Sequence, residues 1–469
     1  MMKMKNLKLI VLYTVALSLF ACEKVTEQVP ESLITGSNFF KTASDADNAI
    51  IGCYDAMQGN ANAYVMWGDG RTDVFASTDR SFATELEITT GNVGSANGYA
   101  TWNFLYSAMN RINNVLKYVP GMSDPALNAR KERILGEAYF LRGMVYFYLA
   151  RTFENAPLVL EPFEGGTDNL YPSLSNRQAL FIQVETDLKA ALDRVPDLPF
   201  GSTLENKGRA TKAAIRSMLA DLYLWQKKYD DAAEMARLVI ISPANYSLVA
   251  GNNYASIFAS KNTTESIFEI QYNYTYQEGN SNPLTDLFLP LGAAYTAGNW
   301  RFQPSVAVLN ALPANDLRRA GTFKNSGPVP APYRDPNQTY IAKYPGTVAN
   351  NVLQQDANRI VYRLAEIVLF RAEALNESGK TGEAIPLLNQ IRSRANVGNT
   401  SAATQDEVRL AIEKERLSEL VYEGKRYYDL IRTGRYAAVT GYTNANWVRW
   451  PIPASELIIN PNLVPNPGY

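Results

Sequence analysis

Two irregular segments hold the side chains whose chemistry packing explains least. Residues 64–102 are rich in Gly, Thr, Ser and Asp and carry Trp67, Asp73, Arg80, Asn97, Tyr99 and Trp102. Residues 272–302 carry Tyr272, Tyr274, Tyr276, Tyr295 and Trp300. Indole and phenol rings offer flat apolar faces, and Asp, Asn and Arg offer acceptors and donors beside them. A sugar, with an apolar CH face and a rim of hydroxyls, matches that mixture. Binding residues also concentrate on loops carried by a rigid scaffold. Trp67, Tyr274 and Trp300 are the aromatic candidates this reasoning selects. Trp102 opens a helix and reads as core, and Trp225, Trp447 and Trp450 read as packing. Tyr272, Tyr274 and Tyr276 alternate at strand period, which would expose one face.

Bond-making chemistry is narrowed by composition. The chain has no histidine and two cysteines, Cys22 and Cys53. No Ser-His-Asp or Cys-His nucleophile can be assembled. Neither an H-E-x-x-H zinc site nor a cysteine-built structural zinc is possible. Two carboxylates suffice for glycoside hydrolysis, but the 46 Asp and Glu are scattered with no pair set apart. Gly379-Lys380-Thr381 could end a phosphate loop, yet that motif needs a glycine where Ala374 stands. No acid-rich loop of calcium-binding spacing is present. No cofactor or metal is therefore expected. Net charge is −1, and removing residues 1–21, with three lysines and no acid, leaves −4. Without a basic run, nucleic acid is not an expected partner.

The elements that must position these loops are helical. Thr211 to Pro243 reads as a helix-turn-helix in which Leu219, Ala220, Tyr223 and Ala232 match tetratricopeptide spacing. A second copy spans about Ile360 to Ala395, with Gly379 to Gly382 as its turn. A third pairs Lys131–Phe153 with Gln178–Val195, where Leu180, Val184, Leu188, Ala191, Leu192 and Val195 form one stripe. Ala46–Gln58 and Val408–Arg432 are further helices. Ser175 with Gln178, and Thr404 with Glu407, form expected capping boxes. Arg363 with Glu366, and Arg426 with Asp429, have the spacing of pairs along one helix. Cys53 falls on a helix as a small buried residue. The fold class is mostly α: tetratricopeptide-like helix pairs in a bundle with long irregular insertions.

The two ends are distinctive. Lys3, Lys5 and Lys8 precede an apolar run from Leu9 to Phe20, too short for a membrane span. Leu19-Phe20-Ala21-Cys22 then reads as a lipobox, so residues 1–21 are a lipoprotein signal peptide and Cys22 the lipidation site. Residues 22–37 form a tether. At the other end, residues 451–469 contain five prolines and read as an extended strap. Between them residues 38–469 form one domain. Its helix-pair scaffold covers about 38–60, 102–243 and 360–435, and its loop-rich parts about 61–101 and 244–359.

The strap resembles the C-terminal signature of the SusD/RagB-like nutrient-binding outer-membrane lipoproteins. It carries Pro451, Pro453 and Glu456, then Asn460, Pro461 and Leu463, then Asn466, Pro467, Gly468 and Tyr469. Pro465 stands where that family usually has Gln. Arg363–Ile367 with Arg371–Asn376, Glu415 to Arg432, Trp102 to Arg111 and Arg142 to Leu158 are similar to further family blocks. The resemblance implies a surface-exposed outer-membrane lipoprotein without catalysis. It would bind an oligosaccharide and pass it to a TonB-dependent transporter of the SusC type, docking through its helix pairs. It also implies polar ligand roles for Asp73, Arg80 and Asn97, and aromatic ones for Tyr295 and Trp300. The alternatives are a peptide binder of the same fold, a carboxylate-based glycoside hydrolase and a plain assembly scaffold.

Overall fold

The computed structural model describes residues 36–165, 169–276, 281–290, 298–325 and 338–469. Cys22 and Tyr295 lie outside the described residues, as does the Tyr276 side chain. Among the described residues no helix is long and apolar enough to cross a membrane.

Four helix pairs build the scaffold. Helix α1 (Ala43–Gln58) starts at Thr42, whose side chain and that of Asp45 form a capping box. Helix α2 (Ala61–Asp69) follows where a loop is expected from sequence, and then α3 (Ala83–Thr90). Helix α4 (Asn103–Tyr118) pairs with α1. Helix α5 (Lys131–Phe153) pairs with α6 (Arg177–Arg194), α7 (Lys212–Trp225) with α8 (Tyr229–Ile240), and α9 (Leu364–Glu377) with α10 (Thr381–Arg394). Each pair packs on the next through α4 with α5, α6 with α7, and α8 with α9. Gly379, at φ +77°, turns α9 into α10, a conformation glycine adopts without penalty. The cap of α6 is not Ser175: Asn176 accepts the Ala179 N–H at 2.9 Å, and Ser175 lies in a two-residue strand.

The helix expected over 408–432 is two helices. Helix α11 (Gln405–Leu420) begins with the Thr404–Glu407 box, and α12 (Arg426–Arg432) starts after a break. Tyr422 and Gly424 there have φ of +69° and +76°. The break lets Gly68 of α2 approach Gly424 so closely that an added Cβ would lie 1.9 Å from its carbonyl oxygen. Asp69 fixes the contact by accepting the N–H groups of Gly424 (2.7 Å), Lys425 (3.0 Å) and Arg426 (3.0 Å). Burial nevertheless raises its carboxyl to about 6.

The paired charges have other partners than helix spacing implies. Arg363 is fully buried and binds Glu423 (2.8 Å), Glu265 (2.7 Å) and Glu419 (2.5 Å). Arg318, Arg394 and Lys343 enter the same lattice through Glu415, Glu419, Glu265 and Glu423. Arg426 binds Asp73, and Asp429 binds Arg416 and Arg432. Of these bridges, Asp429–Arg432 is a pair along α12, at i,i+3, and the others tie separate elements together.

Four strands serve the loops: β1 (Phe75–Ser77), β2 (Ser266–Ile270), β3 (Phe302–Pro304) and β4 (Arg359–Arg363). Strand β1 pairs antiparallel with β3, and β2 with β4. Tyr272 lies beyond the end of β2, buried, with its hydroxyl on the Gln58 carbonyl (2.6 Å). Tyr274–Tyr276 form a 3-10 turn in place of the expected strand.

The strap is not extended throughout. Its proline-free stretch forms helix α13 (Ala454–Ile459). On either side it is held by specific bonds. The Trp450 N–H donates to the Thr152 carbonyl, and the Asn466 amide donates to the carbonyls of Phe153 and Trp450, each at 2.8 Å.

Candidate functional site

The two loop segments meet. The β1–β3 ladder sets Phe75 opposite Pro304, Ala76 opposite Gln303 and Ser77 opposite Phe302. Just beyond it, Thr78 donates to the Trp300 carbonyl and Ser81 to the Arg301 carbonyl, both at 2.6 Å. Gln303 donates back to the Ser77 carbonyl (3.0 Å), and Arg301 donates to the Arg80 carbonyl. Helix α3 then starts as Glu85 accepts the Phe82 N–H at 2.6 Å.

This crossing creates a platform. Phe82 is 59% exposed, and the Arg301 guanidinium carbon sits 3.4 Å from its ring centroid. Cation–π packing of this kind holds a planar donor group flat on an aromatic face. Arg80 lies alongside, and its guanidinium takes no hydrogen bond or ion pair among the described residues. Arg301 likewise meets no carboxylate within bridging distance among them. The platform can thus stack an apolar face and donate hydrogen bonds around it.

Most residues selected from sequence are engaged elsewhere. Trp67 is fully buried, stacked on Phe104, and donates its indole N–H to the Tyr99 carbonyl at 2.7 Å. It is core and has no open face. Asp73 is consumed by Arg426, with contacts of 2.9 and 3.0 Å. Asn97 is buried, donating to Glu87 and the Thr84 carbonyl and accepting the Tyr99 N–H. Trp300 is buried in a small cluster with Leu289, Tyr340, Ala342 and Leu353. Its φ of +46° turns the ring inward while its carbonyl serves Thr78. Of the seven ligand candidates, Arg80 and Tyr274 stay available. Tyr274 is 41% exposed. Trp102 and Trp450 are buried, as expected, whereas Trp225 and Trp447 are partly exposed. Sequence reasoning missed Phe82 and Arg301. The available signal was a bulky aromatic within a polar loop, directly before an α3 start marked by Glu85.

Two family models match the chain. One, described as starch-binding associating with outer membrane, covers residues 30–224, and the SusD family model covers residues 318–446. The chain belongs to the SusD/RagB-like family. Among its SusD-like relatives is the SusD-like protein P2 of Formosa agariphila, 29% identical over 97% of this chain and 98% of that one. The starch-binding protein SusD of Bacteroides thetaiotaomicron is 32% identical over 136 residues, which is 26% of this chain and 24% of that one. The fold is that of solved SusD-like structures. A laminarin binding SusD-like protein superposes with a TM-score of 0.80 at 24% identity, covering 92% of this chain and all of that one. A SusD superfamily protein from Bacteroides thetaiotaomicron gives 0.75 at 25% identity, covering 91% of this chain and all of that one. Within this SusD/RagB-like chain, the charged blocks lie mainly on β4, α11 and α12, outside the four helix pairs, and form buried bridges.

Proposed function

We propose that the chain is a surface-exposed, glycan-binding lipoprotein of the outer membrane, anchored through Cys22. It captures an oligosaccharide and passes it to a TonB-dependent transporter of the SusC type, with no catalysis of its own. The observation that carries this reading is the exposed Phe82 ring with Arg301 on it and an unpaired Arg80 beside it. The sugar CH face stacks on the ring system, and the hydroxyls accept from the two guanidinium groups. Tyr274 and Tyr295 supply further aromatic surface. The starch-binding and laminarin-binding relatives support a glycan as the ligand class. Two acyl chains or more at Cys22 would give the anchoring that one chain does not secure.

Calorimetric titration of the chain from residue 23 with oligosaccharides and peptides tests the reading. Binding of one glycan class, weakened by Phe82→Ala, is expected. Peptide binding alone would replace the glycan, and release of reducing ends from polysaccharide would replace the non-catalytic assignment.

A further inference from the structure

Hydrogen-bond donors and acceptors are out of balance on the loop platform. Its two segments, residues 73–97 and 284–304, hold five carboxylates: Asp73, Asp79, Glu85, Glu87 and Asp286. All but Asp79 are committed within the protein. Asp73 binds Arg426 (2.9 and 3.0 Å), Glu85 accepts the Phe82 N–H (2.6 Å), Glu87 accepts the Asn97 amide (2.8 Å), and Asp286 accepts the Asn299 amide. The hydroxyls of the turn are spent as well. Thr78 and Ser81 donate to the carbonyls of Trp300 and Arg301 while accepting the N–H groups of Arg80 (3.1 Å) and Thr78 (2.9 Å). Two cations on the same loops stay uncommitted. Arg301 uses only Nη1, on the Arg80 carbonyl; its Nε and Nη2 edge takes no partner among the described residues and is not sealed from solvent. The Arg80 guanidinium is equally free among them.

That imbalance chooses among sugars. A guanidinium has N–H donors and no acceptor. A neutral sugar hydroxyl both donates and accepts, so bare guanidinium groups answer only half of its needs. A carboxylate or a sulfate ester only accepts, and two of its oxygens fit the free Nε–Nη2 edge as a fork, in hydrogen bonds roughly twice as strong as neutral ones. We infer that the platform selects an acidic oligosaccharide, with a carboxylate or sulfate ester held by Arg301 and Arg80 and an apolar sugar face on Phe82. The inference rests on the glycan reading above and narrows its ligand class. The attraction is local, because the chain as a whole carries a net charge of −1. Asp79 is the opposing charge. It is exposed, directly precedes Arg80 and lies beyond bridging distance of both guanidinium groups. Its carboxylate weakens the positive field over the turn, and its removal strengthens that field.

The test is calorimetric titration of the full acylated chain, in neutral detergent, with three sets of oligomers. Oligogalacturonates and oligoalginates carry carboxylates, sulfated galactan oligomers carry sulfate esters, and glucan, mannan and galactan oligomers are neutral. An acidic oligomer should bind about tenfold or more tighter than any neutral one, and added salt should weaken it. Arg301→Gln should remove about tenfold or more of that affinity. Asp79→Asn should raise it about twofold and leave neutral oligomers unaffected. Asp79 is exposed and makes no bond among the described residues, so this variant decides the matter if Arg301→Gln disturbs the turn. Binding of carboxylated oligomers alone, or of sulfated ones alone, would support the inference and name the anion. Neutral oligomers bound as tightly, or an acidic affinity indifferent to Asp79→Asn, would overturn it while leaving glycan capture intact. No binding in any set would overturn both.

Discussion

Arg363 and Arg301 show how differently the scaffold and the loop face use one side chain. Arg363 has no exposure and spends its guanidinium on three carboxylates. Arg301 lies on an exposed phenyl ring, and its one described hydrogen bond goes to a backbone carbonyl. A buried charge must be fully paired or it destabilises the fold. A charge left unpaired at a rim costs little and stays free for a ligand. The charged family motifs fall in the first class, and Arg80, Phe82 and Arg301 in the second.

The sharpest way to break this comparison is Arg363→Ala. It leaves Glu265, Glu419 and Glu423 short of a cation in a buried site, and a loss of about 3–5 kcal/mol is expected. Urea unfolding would show it, and a midpoint near wild type would mean the lattice is not holding the fold. Next comes Trp300→Ala, expected to cost about 3 kcal/mol or more because the ring is packed. Any loss of glycan affinity should then vanish when binding is measured well below the melting temperature. If affinity falls while melting is unchanged, Trp300 returns to the ligand face.

Acid should find the lattice before the platform. Burial pushes Glu423 up, but Arg363 and Lys343 outweigh it and hold its carboxyl below the ordinary range. Glu419 is held well below by Arg394, Arg363 and Arg318. A carboxylate depressed in the folded state contributes stability above its unfolded pKa, about 4.3. That stability drains away as pH falls from there through the folded value. The melting temperature should therefore drop below about pH 4.5, and a flat profile down to pH 3 would contradict the assignment.

Smaller effects sharpen the other side. Phe82→Ala removes an exposed ring, so stability should stay within about 0.5 kcal/mol. Glycan affinity should fall about tenfold, equivalent to about 1.4 kcal/mol. Arg80→Ala should weaken binding by about threefold, or about 0.7 kcal/mol. Unchanged affinity in both would place the ligand on another face.

The helix pairs were legible because their stripes, caps and turn glycines act locally. Thr404 with Glu407 and the turn at Gly379 needed no distant partner. The bridges were legible as bridges but not in their partners, since Arg426 meets Asp73 from 353 residues away. Tryptophan misled for a related reason. Trp67 sits in a segment of mixed polarity, yet α2 is buried on nearly every side because Gly68 must touch Gly424. Trp300 turns inward through a backbone conformation that its type disfavours. Phe82 and Arg301 gain meaning only when the β1–β3 ladder brings them together, and three residue pairs leave a faint pattern in the chain.

The bonds that hold the two halves of the platform have one property in common. Thr78, Ser81, Gln303 and Arg301 all donate to main-chain oxygens, at positions 300, 301, 77 and 80. Every amino acid carries that oxygen. Side chains at 80 and 82 can therefore be exchanged over generations without loosening the frame that presents them. A lineage moving to a new food source could revise its palate one residue at a time while the mouth keeps its shape.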